Sequence, residues 1–291
     1  MQSILCPVDF SEFSAAAYQY ALSLAEYYQA RLVCLHIVEL WKYPYAEYAA
    51  QEVDYAKFCK ALSEGGEVQL QELVKKYPGR GITPQLVVRV GNAADCTLWF
   101  TQKENIEVIV MGTHGRRGFD RLVLGSTTDR VIRKAACPVL VVSNPSHQLL
   151  STGPDGRHRL SRILYCTDFS HNSERARWYA LSLAAEYKAE LTLLHVAEDA
   201  PDQARTEAII AECTKELDTL VSEDERKNVN VKEVVRFGKA YEEIVRHATE
   251  TRTSLIIMTA RGGDAVNRAV FGSTTYRVIQ LGLCPVLAIH T

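Results

Sequence analysis

Apolar positions along this chain alternate between two kinds of segment. The first kind is short and nearly unbroken by charge: "SILCPV" from Ser3, "RLVCLHIV" from Arg31, "TPQLVVRVG" from Thr83, "IEVIVMG" from Ile106 and "CPVLVVS" from Cys137. Runs of this length, rich in β-branched residues, predict buried strands. The second kind repeats its apolar positions at helical spacing. "SEFSAAAYQYALSLAEYYQ" from Ser11, with Ser11 or Ser14 as N-cap, predicts a first helix. A long helix follows from about Val53 to Lys76, then "AADCTLWFTQKEN" from Ala93 and "STTDRVIRKAA" from Ser126. Apolar strands alternating with helices predict a parallel sheet covered on both faces, a doubly wound α/β domain of five strands.

The same pattern is written twice. "SILCPVDFSEFSAAAYQYALSLAEYYQARLVCLHIVE" from Ser3 aligns with "RILYCTDFSHNSERARWYALSLAAEYKAELTLLHVAE" from Arg162. Asp9, Phe10, Ser11 and His36 pair with Asp168, Phe169, Ser170 and His195 at an offset of 159 residues. Gly91, Gly125 and Cys137 pair with Gly238, Gly272 and Cys284 at an offset of 147. The first copy therefore carries a net 12 extra residues between His36 and Gly91, expected in the aromatic stretch from Trp41 to Tyr55. That stretch reads as a lid, a partner patch or packing for the long helix. "SNPSHQLLSTGPDGRHRLS" from Ser143 lacks sustained periodicity and reads as a linker. The expected organisation is domain 1 over residues 1–145, a linker over 146–159 and domain 2 over 160–291.

Composition adds exclusions. The chain has 291 residues and a formal net charge of −2, so no basic excess points to nucleic acid or an anionic membrane. No apolar run approaches the roughly 18–20 residues that span a bilayer. "MQSILCPVDF" lacks the basic flank and apolar core of a signal peptide, which makes the cytoplasm the expected location. The eight cysteines form no C-x-x-C pair, and they are expected to be reduced, mostly buried small hydrophobes rather than disulfides or zinc ligands.

The chemistry concentrates in "MGTHGRRGFDRLVLGSTTDRV" from Met111. Gly112, Gly115 and Gly118 follow a strand, and Gly125-Ser126-Thr127-Thr128 opens a helix. Loops at the carboxyl ends of parallel strands are where such sheets bind ligands. Glycines allow close backbone approach, a helix N-terminus presents free N–H groups, and Ser126 and Thr127 add hydroxyl donors, a combination suited to phosphate. The spacing is neither G-x-x-x-x-G-K-[ST] nor G-x-G-x-x-G. The same segment without a ligand would be a tight strand-to-helix turn.

Gly112-x-x-Gly115, nine residues, then Gly125-Ser126 resembles the G-2x-G-9x-G-[S/T] motif of ATP-binding universal stress proteins. "CPVDFSEFS" resembles that family's opening strand and turn, "LHIV" its second strand and "CPVLVV" its closing strand. Over the two copies the resemblance covers nearly the whole chain and is to the tandem type. It implies an adenine nucleotide alpha hydrolase-like fold in each copy, packed as an intramolecular pseudo-dimer, with further homodimerisation left open. It also implies an adenine nucleotide, ATP or AMP, with Mg2+ left open. Pro7, Val8 and Asp9 would lie near adenine and ribose, Ile37 on the base, and Met111 and Gly112 on the nucleoside side. Gly115, Gly125, Ser126 and Thr127 would hold phosphates, with His114 on the phosphate side or merely exposed. Asp9 alternatively caps the helix after it. Arg116 and Arg117 would counter phosphate charge or be solvated. His36 and His195 read as satisfied core histidines.

The second copy keeps Asp168, Val196, Gly262, Gly272, Ser273 and Thr274 but has Thr259 where the first has Gly112, and Cys166-Thr167 in place of Pro7-Val8. A β-branched residue is costly where positive φ is required and crowds a ligand. The second site is expected to be weakened or lost. No residue set for nucleophilic catalysis stands out, and no lysine or metal-binding aspartate of a hydrolase is evident. The expected function is a nucleotide-binding regulatory protein of the stress response with undefined protein partners. The alternatives are a slow ATP hydrolase or nucleotidyl-transferring enzyme, and a ligand-free scaffold.

Overall fold

The computed structural model describes residues 1–42, 55–113, 124–143, 151–152, 158–197, 203–260, 272–282 and 284–290. The chain divides into two compact units, Met1–Pro145 and Ser146–Thr291. Unit 1 runs β1 (Ser3–Val8), α1 (Glu12–Tyr28), β2 (Arg31–Val38), a 3-10 turn (Leu40–Lys42), α2 (Tyr55–Lys76), β3 (Gln85–Val90), α3 (Ala93–Lys103), β4 (Val108–Gly112), α4 (Ser126–Lys134) and β5 (Val139–Val142). Its strands lie in the order β5-β4-β1-β2-β3, all parallel. β1 neighbours β2 on one side and β4 on the other, so chain direction across the sheet reverses there. The crevice at such a reversal, outside the carboxyl ends, is the natural ligand position of an open α/β sheet.

Unit 2 opens with a two-residue antiparallel pair, β6 (Ser151–Thr152) with β7 (His158–Arg159). This pair falls within the expected linker. Residues 153–157 between the two strands lie outside the described residues, and strands of two residues are too short for periodicity to register. Then follow β8 (Arg162–Cys166), α5 (Ser173–Tyr187), β9 (Glu190–Ala197), α6 (Gln203–Thr219), α7 (Glu223–Arg226), β10 (Asn230–Phe237), α8 (Ala240–Glu250), β11 (Leu255–Thr259), α9 (Ser273–Leu281) and β12 (Val286–Ile289). The strand order is β10-β9-β8-β11-β12, again parallel, so unit 2 repeats the topology of unit 1.

Central strands are unbroken apolar runs because helices cover both their faces. Every residue of β11 and the first four of β4 are buried, while β3 at the rim of its sheet is half exposed. Ser11 is the N-cap of α1, its hydroxyl accepting the Ser14 amide at 3.2 Å. Ser14 is buried and donates to the Ser11 carbonyl. Gln29 and Lys188 end α1 and α5 in the left-handed region, at φ of 51° and 53°.

The two units bury a tyrosine from different elements. In unit 1, Tyr18 of α1 is fully buried near Cys6 and Cys34, and its hydroxyl donates to the Tyr77 carbonyl. In unit 2 the phenol comes from the strand: Tyr165 stands where Cys6 stands, and its hydroxyl donates to the Ser173 carbonyl. Arg177 takes the place of Tyr18, donating to the Leu220 carbonyl and pairing with Glu225. A buried hydroxyl needs an acceptor, and each unit supplies one from a different element.

All eight cysteines are free thiols, and Cys6, Cys34, Cys137, Cys166 and Cys284 are buried. Burial pushes the thiols of Cys34 and Cys284 up to about 12, and those of Cys6 and Cys166 upward as well. Such groups stay protonated and unreactive. Trp41 is 66% exposed, with the Lys42 ammonium over its ring, and the rest of the Trp41-to-Tyr55 stretch, from Tyr43 to Asp54, lies outside the described residues. No helix among the described residues is long and apolar enough to cross a membrane.

Candidate functional site

The site begins where β1 ends. Val8 is buried, Pro7 and Asp9 are half-buried, and the chain then turns sharply into α1. The carboxylate of Asp9 accepts from the Ser11 amide at 3.1 Å and the Ser11 hydroxyl at 2.7 Å through one oxygen, Oδ1. Asp9 thus closes a turn over Ser11, while Ser11 caps the helix. Phe10 between them adopts φ 64°. Its ring lies against His36, centroids 4.5 Å apart, and the His36 Nδ1 bonds the Val8 carbonyl at 2.8 Å. That bond ties the ends of β1 and β2 together beside Ile37, which is half-buried.

The second wall is the β4–α4 connection. Met111 is buried in β4, and Gly112 follows it. A Cβ on Gly112 would lie 2.8 Å from both the carbonyl carbon and the Cβ of Phe13. Gly112 is there because the first turn of α1 leaves no space for a side chain. Among the described residues the positive-φ glycines are Gly81, Gly91 and Gly238, so Gly112 owes nothing to that conformation. Across the loop the Gly125 amide donates to the Thr113 carbonyl at 2.8 Å, and the Thr128 hydroxyl donates to the Gly112 carbonyl at 2.7 Å. These bonds fasten the start of α4 to the end of β4. No side chain caps that start, Ser126 is exposed and Thr127 is half-exposed. An uncapped helix start with hydroxyls on its first turn presents donors and positive potential to an anion. His114, Gly115, Arg116, Arg117 and Gly118 lie outside the described residues.

Unit 2 repeats this frame with changes. Asp168 is exposed, and its Oδ1 accepts from the Ser170 amide and hydroxyl at 3.1 and 2.6 Å. Phe169 adopts φ 59° and stacks on His195 at 4.4 Å, whose Nδ1 bonds the Thr167 carbonyl at 3.0 Å. Thr167 replaces the apolar Val8 with a hydroxyl that accepts the Phe169 amide. The Gly272 amide donates to the Ala260 carbonyl and Thr275 to the Thr259 carbonyl, matching Gly125 and Thr128. Ser273 is exposed, Thr274 and Val196 are half-exposed, and Gly262 lies outside the described residues. Thr259 is buried and absent from the positive-φ residues, so backbone strain is no cost of this substitution, against the conditional argument from sequence. The relevant difference is steric. α5 starts at Ser173, two residues later than α1 by the repeat alignment, and Asn172 stands where Phe13 crowds Gly112.

The described residues therefore bring Pro7, Val8, Asp9 and Ile37 to one end of the sheet, with Met111, Gly112, Gly125, Ser126 and Thr127 on the adjoining connection. Sequence reasoning missed the roles of Phe10, Phe13, Thr128 and Thr275. The signal for the threonines was present, since Gly-Ser-Thr-Thr is spelled identically in both copies. Among the described residues no group of histidine, cysteine and carboxylate side chains is arranged to hold a metal ion.

Comparison with known proteins bears on the whole chain. The family model described as the universal stress protein family matches residues 1–143 and again 160–290. A universal stress protein of Methanocaldococcus jannaschii is 31% identical over 147 residues, covering 50% of this chain and 85% of the relative. One from Mycolicibacterium smegmatis is 25% identical over 306 residues, covering 99% of this chain and 96% of the relative. The crystal structure of a universal stress protein from Archaeoglobus fulgidus superimposes with a TM-score of 0.74 at 22% identity, covering 99% of this chain and 98% of that one. With both halves matched and the doubly wound sheet present twice, the chain belongs to the universal stress protein family and is a tandem member of it.

Proposed function

We propose that unit 1 binds an adenine nucleotide, ATP or AMP, and that the protein acts as a nucleotide-responsive regulator in the stress response. The observation that carries this reading is the β4–α4 connection. Gly112 abuts α1 without room for a side chain, and the uncapped α4 start, with Ser126 and Thr127, faces the same end of the sheet as Asp9. The G-2x-G-9x-G-S spacing from Gly112 to Ser126 supplies the rest of a phosphate cradle through Gly115 and Gly125. The donor set fits a phosphate-bearing ligand: hydroxyls and amides on the α4 side suit phosphate oxygens, and the Asp9 carboxylate on the β1 side suits ribose hydroxyls. Pro7, Val8, Ile37 and Met111 supply the apolar surface a base requires. In unit 2 the exposed Asp168, the Thr259 methyl and the polar Thr167 weaken each of these features, so nucleotide binding there is reduced or lost.

Purified protein, prepared without added nucleotide and then denatured, should release adenine nucleotide on ion-exchange chromatography with mass detection. The expected yield is about one equivalent per chain, reflecting a single competent pocket. About two equivalents would overturn the reading of unit 2. No release, together with no heat of binding on ATP titration, would overturn nucleotide binding altogether. Asp9→Ala is expected to lower the yield without unfolding the chain.

A further inference from the structure

Six non-glycine residues among those described adopt positive φ, and they form three repeat-related pairs: Phe10 with Phe169, Gln29 with Lys188, and Asn105 with Arg252. The last two pairs lie at the carboxyl ends of helices α1, α5, α3 and α8, where a left-handed residue is ordinary termination chemistry. Phe10 and Phe169 are different. They precede a helix, sit at the carboxyl end of the sheet, and carry a bulky aromatic side chain in a region that glycine or asparagine normally occupies. A strained residue of this kind persists only where its surroundings over-determine it.

The surroundings are visible in unit 1. The Phe10 ring is held against His36 at 4.5 Å. His36 is held from one side by its Nδ1 bond to the Val8 carbonyl. From the other side α2 presses on it: a Cβ on Gly66 would lie 2.8 Å from the His36 Cδ2. On either side of Phe10 in sequence, Asp9 and Ser11 are locked to each other by two hydrogen bonds. The tilted ring contact therefore fixes the backbone twist that turns the Asp9 carboxylate over Ser11, and it joins that turn to the end of β2 next to Ile37.

We infer that Phe10 and His36 form a positioning pair, which sets Asp9 and Ile37 on the two sides of the nucleoside at the unit 1 site. This rests on the nucleotide reading above. Neither residue is a ligand contact in this role; both act through the turn. The strain at Phe10 is held by packing at the site, so removing the ring releases strain and loosens the site together.

The test compares affinity with stability in the full chain, using ATP and AMP as probes by calorimetry and thermal unfolding by circular dichroism. Phe10→Gly removes the ring and the φ penalty. It is expected to weaken binding at least about tenfold, while its unfolding midpoint stays at or above that of the parent. Phe10→Tyr keeps the ring and should retain parental affinity. Gly66→Ala acts from the α2 side, pushing on the His36 ring without touching the Asp9 turn, and should weaken binding several-fold. Phe169→Gly, the matching change in unit 2, should leave unit 1 affinity unchanged. If the parent binds nucleotide and both Phe10→Gly and Gly66→Ala bind as tightly, the positioning role is wrong and the nucleotide site stands. If the parent itself binds none, the nucleotide reading fails and takes this inference with it.

Discussion

Replacing Ser11 by alanine removes the hydroxyl that accepts the Ser14 amide and also one of the two donors that hold Asp9. Loss of an N-cap alone costs about 1 kcal/mol, so Ser11→Ala should lower the unfolding free energy of unit 1 by that amount, read as a lower denaturant midpoint at unchanged slope. Ser11 was legible as a cap because a serine preceding an apolar helical pattern has one common use, although the sequence left Ser14 as an equal choice. Burial decides between them: Ser14 turns inward and spends its hydroxyl on the Ser11 carbonyl. Phe10 was not legible at all. Nothing in Asp-Phe-Ser signals a left-handed aromatic, because the compensation comes from His36, 26 residues away on another strand.

Among elements, the approach of α1 to β4 is the contact most sensitive to a single methyl. Gly112→Thr, which writes the unit 2 residue into unit 1, drives a Cβ onto the backbone of Phe13 and should cost about 3 kcal/mol, the upper end for overpacking. Hydrogen exchange in the first turn of α1 should accelerate in that variant. The exchange of phenol positions between units gives a second case. Cys6→Tyr adds a ring where Tyr18 already lies and should destabilise unit 1 by about 3 kcal/mol. Adding Tyr18→Arg should recover part of the loss, a coupling of about 1–2 kcal/mol in denaturant titration. Helices α3 and α8 differ in another way. Phe100 of α3 is buried, and its repeat counterpart in α8 is His247. His247 is only 5% exposed, and neither ring nitrogen has a hydrogen-bond partner among the described residues.

Burial, and after it the nearby Arg236 guanidinium, hold the His247 imidazole below its ordinary range, against the opposing pull of Glu250. The other charges around α8 are already engaged: Glu243 with Arg236 and Arg246, Arg277 over the Tyr241 ring, and Glu190 of β9 with Lys232. A histidine whose folded-state pKa is depressed binds its proton more readily when unfolded. Its contribution is therefore complete above the ordinary histidine range and is lost as pH falls through and below about 6.5. At the scale of the whole molecule this makes the two halves respond differently to acid. The unfolding constant of unit 2 should rise on acidification, by at most about tenfold per pH unit for the one proton involved, and His247→Phe should flatten that dependence. The ratio of thiol labelling at Cys166 and Cys284 to that at Cys6, Cys34 and Cys137, measured at one pH and then at a lower one, reports this difference directly. A ratio that stays constant between pH 7.5 and about 5.5 would remove His247 as the cause.

Taken alone, the order of apolar and polar residues determined the class of the fold and the number of copies, and it pointed to one end of the sheet as the candidate site. These are consequences of local period and of repetition, and both are written in the chain itself. The Gly112-to-Ser126 spacing marked the candidate loop for the same reason. What only the tertiary structure decided are the reasons for individual residues. Gly112 is small because Phe13 approaches it, not because its backbone turns. Thr128 and Thr275 close their loops onto carbonyls 16 residues back. Tyr18 and Tyr165 send their hydroxyls from a helix in one unit and from a strand in the other to different carbonyls. Each of these depends on the distance between atoms far apart in sequence, and steric exclusion and hydrogen-bond geometry act on that distance rather than on residue order.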